Sequence, residues 1–135
     1  MSSLPIFDIA GSALSAQSVR MNTLASNMAN ADSITGDPAT VYRARDPIFK
    51  TFSVNEDASL QGVQVKSIEQ STTPPIKRFE PGNPLADKDG YVYAPAIDPV
   101  AQMVNLISAS RGYQAGVEVI NTAKELAIAT LSMGR

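Results

Sequence analysis

The sequence predicts a mainly α fold. Long N- and C-terminal helices form an antiparallel coiled coil, with a small irregular β-rich or extended middle region. Apolar residues recur at alternating spacings of three and four near both ends of the 135-residue chain. Most prolines and several short β-prone runs lie between those two stretches. We expect one structural unit made of an N-terminal helical segment (1–35), a proline-rich middle with short strands (36–97) and a C-terminal helical segment (98–135).

The first helix is predicted over residues 4–31. Pro5 suits a first helical turn, where its missing N–H is not needed. The run NADSITGDP, which begins at Asn30, ends the pattern with turn-forming residues. Its seam has heptad spacing, interrupted at Gln17, and consists of Phe7, Ala10, Leu14, Met21, Leu24 and Met28.

The second helix is predicted over residues 98–133. Asp98 is the expected N-cap with Pro99 in the first helical position, and Gly134 follows where C-terminal caps favour glycine. Lys124 interrupts its heptad pattern. The predicted seam consists of Met103, Leu106, Ser110, Tyr113, Val117, Ile120, Ala127 and Leu131.

The middle segment contains three runs of β-prone residues, TVYRA, GVQVKSI and GYVYA. Turn formers in PGNP and DKDG lie between the second and the third of these runs. We therefore expect short strands in a small β region, or an extended arm that neighbouring segments order.

The outer faces of both helices carry unusually little charge. From Met1 to Ala31 the only charged residues are Asp8 and Arg20. In the second helix, Gly112 and Gly116 lie one turn apart, each costing about 1 kcal/mol relative to alanine. Small neutral side chains favour close helix approach, so burial by other copies or partners is expected. An ordinary antiparallel pair with tolerated surface glycines is the alternative interpretation.

Composition excludes most catalytic chemistry. The chain has no histidine and no cysteine, and its 11 basic and 13 acidic residues give a net charge of −2. Imidazole bases, thiolate nucleophiles and the usual zinc ligands are therefore missing, and no basic surface for nucleic acid is indicated. We predict a protein that is not an enzyme, with no catalytic residue, cofactor, metal, nucleic-acid partner or small-molecule substrate.

Two local patterns resemble binding motifs only superficially. Asp87 and Asp89 lie close to Gly90, but the following residues lack the ligand spacing and the glutamate of a calcium loop, which favours a turn. Arg43, Arg45 and Lys50 alternate with aromatic residues as in some RNA-binding strands. The negative net charge favours a salt-bridged surface or a subunit contact instead.

Three segments resemble a known family. FDIAGSALSAQSVRMNTLASNMANADS resembles the opening signature of flagellar axial and rod proteins. NPLADKDGYVYAPAID resembles the segment before the C-terminal helix in the proximal rod members, and MVNLISASRGYQAGVEVINTAKELAIATLSMGR resembles their terminal helix. Ala96 departs from the pattern, because the family usually carries asparagine there, so no contact of that asparagine is transferred.

The resemblance implies a structural subunit of the bacterial flagellar basal-body rod, polymerising through its terminal helices into the driveshaft that transmits motor torque. Its partners would be other copies of itself and other rod proteins, together with the membrane-embedded ring base and the export machinery. The rod would span the periplasm, reached by type III export without a cleaved signal peptide. The alternative is a non-flagellar helical adaptor or export-apparatus component that binds a partner helix.

Overall fold

The structure is a computed structural model that describes residues 5–56 and 59–134. The three predicted segments also include some positions outside the described residues, namely 1–4, 57, 58 and 135. Two long helices enclose two antiparallel hairpins in chain order, and these elements are α1 (Pro5–Ala29), β1 (Arg45–Ser53), β2 (Gln61–Gln70), β3 (Ile76–Phe79), β4 (Tyr91–Ala94) and α2 (Pro99–Met133).

The predicted fold class is confirmed, because both terminal helices form and pack against each other. Asp98 caps α2 as expected, with its carboxylate accepting from the backbone N–H groups of Val100 at 2.9 Å and Ala101 at 3.4 Å. Helix α1 ends at Ala29, two residues before the predicted end. The side chain of Asn30 donates to the carbonyl of Ser26, satisfying one acceptor of the last turn.

Helices α1 and α2 run in opposite directions. Asn27, near the end of α1, lies against Gln102 near the start of α2. Leu14, half-way along α1, lies against Gly116, which is 14 residues further along α2. Since α2 has 35 residues and α1 has 25, α2 is about 15 Å longer.

The first hairpin corrects two expectations about the middle segment. Its strands have 9 and 10 residues, so they are not short, and TVYRA forms no strand. The chain enters β1 only at Arg45 and tolerates Pro47, because a two-stranded ribbon leaves half of each strand's backbone groups without a ladder partner. The register shifts between Ile48 and Phe49, which marks a bulge.

The second hairpin pairs β3 with β4, which contains most of the predicted GYVYA strand. Gly90 precedes β4 with φ of 82°, a left-handed conformation that favours glycine. An isolated bridge between Thr35 and Tyr93 joins this hairpin to the segment after α1. Val92, in β4, is completely buried, so the small core of the middle region sits here.

The β1–β2 hairpin lies along α1. Ser12 accepts a hydrogen bond from the Val63 backbone N–H at 3.1 Å, and Asn27 bonds the backbone of Arg45. These α1 anchors are 15 positions apart, which corresponds to about 22 Å along the helix. Arg45 and Thr51, the partner of Val63, are six positions apart in β1, which corresponds to about 20 Å. The hairpin therefore covers the side of α1 that includes buried Ala16, so part of the expected burial comes from this same chain.

Candidate assembly interface

The predicted seam of α1 is at least partly buried at every position. Ala10 and Leu24 are buried, and the other seam residues Phe7, Leu14, Met21 and Met28 are half-buried. Gln17, which interrupts the apolar series, is also half-buried. A neutral amide fits here because α2 carries a glycine opposite it.

Gly112 and Gly116 lie against side chains of α1. A Cβ atom added at Gly116 would stand 2.8 Å from Leu14 Cδ2, and one added at Gly112 would stand 3.2 Å from Gln17 Nε2. The Oε1 atom of Gln17 is buried and has no hydrogen-bond partner among the described residues. Burying an unsatisfied acceptor costs roughly 1–3 kcal/mol. The close packing of Leu14 against Gly116 offsets part of that cost.

The predicted seam of α2 is partly covered and partly exposed. Leu106, Ser110, Tyr113, Ile120 and Ala127 are half-buried, whereas Met103, Val117 and Leu131 are exposed in the single chain. The described residues of α2 that are buried are Ala109 and Ala123. A role of the predicted seam in assembly stays a prediction.

Exposed large apolar side chains occur in two stretches of α2, at residues 100–107 and 117–133. Its exposed large apolar side chains are Val100, Met103, Val104, Ile107, Val117, Val119, Leu126, Ile128, Leu131 and Met133. We call these residues the outer face of α2. Exposed apolar surface of this kind is typical of a protein–protein contact.

The outer face is most exposed where α2 extends past α1. Ile6 near the start of α1 lines an apolar groove of about 330 Å³ with Val119 and Leu126 of α2. Beyond Leu126, α2 continues for almost two further turns to Met133. Leu131 is 73% exposed and Met133 is 82% exposed. These last turns therefore offer apolar side chains that the described part of α1 does not cover.

The loop around Asp87 is a self-contained turn. Asp87 Oδ1 accepts from the backbone N–H groups of Tyr91 at 2.8 Å and Asp89 at 2.9 Å, and Oδ2 accepts from the Tyr93 hydroxyl at 3.2 Å. The Tyr91 N–H is the main cause that lowers the pKa of the Asp87 carboxyl below its ordinary value. Both carboxylate oxygens thus serve the loop itself, which agrees with the turn interpretation.

Two basic residues of the superficial RNA-binding pattern make contacts inside the chain. Arg43 Nη1 donates to the Thr73 carbonyl at 2.9 Å, which holds the linker between the hairpins. The Arg45 guanidinium lies 5.8 Å from the centre of the Tyr42 ring, a cation–π geometry. Lys50 is exposed on β1. Arg43 and Arg45 thus have structural contacts of their own.

Sequence reasoning missed two sets of residues. One is the α1 stripe that meets the hairpin, which includes Ser12, Ala16 and Asn27. Ser12 and Ala16 are four positions apart and Ala16 and Asn27 are eleven apart, which places all three on one face of the helix. A search for periodic apolar residues does not detect this face, because its residues are small or polar. The other is the pair of buried alanines of α2, Ala109 and Ala123, because a pattern based on hydrophobicity selects methionine and valine over their smaller neighbours.

The fold and its surfaces define a class of protein: a structural subunit built on two long terminal helices, one of which leaves many large apolar side chains exposed. Within the described ranges, none of the helices combines the length and apolarity that crossing a membrane requires. The model for flagella basal body rod proteins matches residues 7–36. The model for the C-terminal part of flagellar basal body rod FlgEFG proteins matches residues 88–133.

Relatives extend the match to the whole chain. The flagellar basal-body rod protein FlgC of Salmonella typhimurium is 51% identical over 135 residues, covering 100% of both chains. FlgC of Yersinia enterocolitica is 53% identical over the same length, again with full coverage. FlgC of Buchnera aphidicola subsp. Baizongia pistaciae is 34% identical over 137 residues. The chain therefore belongs to the family of the flagellar basal-body rod protein FlgC, a family of structural rod proteins rather than enzymes. The alternative of a non-flagellar adaptor is not supported.

Proposed function

We propose that this structural rod protein polymerises through its two terminal helices, with the outer face of α2 as the main contact between subunits. In this proposal the neighbours are further copies of this chain and other rod proteins. The assembled rod spans the periplasm and transmits torque from the motor to the hook and filament. Contacts with the membrane-embedded ring base and the export machinery belong to the same proposal.

The observation that carries the proposal is the unequal covering of the two helices. Helix α1 contacts α2 on one side and the β1–β2 hairpin on another, and five of its 25 residues are buried. Helix α2 packs only on α1 among the described elements, and just Ala109 and Ala123 of its 35 residues are buried. Burying a large apolar side chain contributes about 1.5–3 kcal/mol. Removing the outer face of α2 from water would therefore drive association strongly.

The charge of α2 supports a partner of the same kind. Over 35 residues, its only charged side chains are Arg111, Glu118, Lys124 and Glu125, two of each sign. A strongly acidic or basic partner gains little from such a surface. Another neutral, largely apolar helix fits it, and the helices of sister subunits have that character.

The test targets the last turns of α2, which lie beyond the described part of α1. Leu131→Asp places a charge on the outer face without touching α1, and Leu131→Met keeps the position apolar. A second variant lacks the residues from Ile128 onward. We expect both Leu131→Asp and the truncated chain to unfold in urea within about 0.5 kcal/mol of the unaltered chain, as surface changes do. We also expect both to be missing from isolated basal bodies.

The assay replaces the gene in a flagellated bacterium and measures swimming, together with the amount of the chain in purified basal bodies. Leu131→Met should swim normally and incorporate normally. If Leu131→Asp and the truncated chain also incorporate normally, the outer face of α2 is not the subunit contact and the proposal fails.

A further inference from the structure

Asn27 joins three separate parts of the chain. Its side chain is completely buried. Nδ2 donates to the Arg45 carbonyl at 3.0 Å and to Gln102 Oε1 at 3.2 Å. Oδ1 accepts from the Arg45 N–H at 2.9 Å and from the Tyr42 hydroxyl at 3.1 Å. A carboxamide has two donor hydrogens and two acceptor lone pairs, so the hydrogen-bonding capacity of Asn27 is fully used.

The pairing with Arg45 has the form of a strand contact. The carboxamide of Asn27 bonds both the N–H and the C=O of Arg45, as a neighbouring peptide group would in a β ladder. Arg45 is the first residue of β1 and lies opposite Gln70, the last residue of β2. Asn27 therefore holds the base of the β1–β2 hairpin at the point where both strands meet α1.

Other contacts set the remaining geometry of the molecule. The register between α1 and α2 is determined sterically, because Gly116 accepts Leu14 and an added Cβ there would clash. At the far end of the hairpin, Ser12 bonds Val63. One such bond allows a two-stranded ribbon to pivot, whereas two anchors about 22 Å apart fix its direction.

We propose that Asn27 is a positioning residue that locks the β1–β2 hairpin at a fixed angle to the α1–α2 pair, through its paired bonds to Arg45 and its bond to Gln102. An apolar residue would fill the same space, but it would leave the Arg45 N–H and carbonyl and the Tyr42 hydroxyl without this partner. Buried groups deprived of their partner are costly, so the hairpin base would move toward water. If the chain assembles into a rod as proposed above, these hydrogen bonds of Asn27 transmit force between the two helices and the middle region.

The first measurement is hydrogen exchange in the full isolated chain. In Asn27→Ala we expect the Arg45 amide to exchange at least about tenfold faster, since a buried bond to it is lost. Asn22→Ala is the matched control, because Asn22 is exposed on the same helix. It should leave the Arg45 amide unchanged. Tyr42→Phe and Gln102→Met each remove one of the four bonds and should produce smaller increases.

The second measurement separates positioning from stability. The chain has no cysteine, so spin labels on Lys50→Cys in β1 and Ser108→Cys in α2, both exposed, report one distance. We expect a narrow distance distribution in the unaltered chain and a broadened or shifted one in Asn27→Ala. Gln102→Glu keeps an acceptor for Asn27 Nδ2 and should preserve the narrow distribution, whereas Gln102→Met should broaden it.

If Asn27→Ala fails to fold, the comparison of Gln102→Glu with Gln102→Met still tests whether Asn27 positions the hairpin. An unchanged distance distribution in Gln102→Met, together with unchanged exchange at Arg45 in Tyr42→Phe, would overturn the inference. Both measurements use the isolated chain, so a negative result leaves the proposal about the outer face of α2 standing.

Discussion

Three glycines in the two helices have different surroundings, and alanine at each should therefore have a different effect. Alanine in place of glycine within a helix stabilises by roughly 0.5–1 kcal/mol through backbone entropy. A Cβ at Gly11 would meet nothing within 4 Å, so Gly11→Ala should show that full gain. At Gly116 the added Cβ would lie 2.8 Å from Leu14 Cδ2. Overpacking of this kind costs about 1–3 kcal/mol, so Gly116→Ala should be neutral to destabilising by about 2.5 kcal/mol.

The assay is urea unfolding of the full chain followed by circular dichroism at the helix band. The decisive comparison repeats Gly116→Ala in a Leu14→Ala background, where the clashing methyl group is gone. There Gly116→Ala should become stabilising, as Gly11→Ala is in both backgrounds, which gives a coupling energy of about 1–3 kcal/mol between positions 14 and 116. Gly112→Ala should fall between the two, because the Gln17 amide at 3.2 Å can turn away. Equal effects of Gly11→Ala and Gly116→Ala in both backgrounds would refute the close approach of the helices at Gly116.

Three further predictions concern the seam and the Asp87 turn. Leu24 is 4% exposed, so Leu24→Asp should destabilise the chain by about 3–5 kcal/mol and leave export intact while rod assembly and swimming fail. Ile120→Asp should have the same effects on assembly and swimming with a smaller loss of stability, because Ile120 is only half-buried. The lowered pKa of Asp87 means that its stabilising contribution is present at neutral pH and is lost as the pH falls below about 3.9 and through the folded value. The Tyr91 amide resonance should therefore titrate below the ordinary aspartate range.

The predictions for Leu24 and Asp87 have matched control variants. Ala25→Asp introduces the same charge next to Leu24 on the exposed side of α1 and should cost less than about 0.5 kcal/mol. Normal swimming with Leu24→Asp or Ile120→Asp would show that the seam is assigned wrongly. Asp87→Asn keeps an acceptor for the Tyr91 N–H but cannot ionise. A Tyr91 titration that survives in Asp87→Asn would mean that another group causes it.

The helices were the most predictable part of the fold because their signals are local. Asp98 and Pro99 define the start of α2 through backbone chemistry within one turn, and the structure shows the expected cap. The strands were less predictable. TVYRA has higher β propensity than RDPIFKTFS, yet the second run forms β1 because its backbone pairs with β2 and docks on α1.

The residues of the candidate site also differ in how far the sequence predicted them. Leu24 and Ala10 were found from spacing, and both are buried. The exposed positions Val104, Leu126 and Met133 were not singled out, because which side of a helix remains uncovered depends on all its neighbours together. Asn27 gave no apolar signal, since its importance lies in four hydrogen bonds to distant residues.

The sequence by itself determined that two long, weakly charged helices end this chain and that no imidazole or thiol chemistry is available to it. Those properties follow from residue type and from spacing within a few turns. Tertiary structure decided that the hairpin covers α1 and leaves the outer side of α2 bare. Burial is a property of surfaces brought together from far along the chain, and periodicity along one helix does not specify which of its apolar sides another segment will reach.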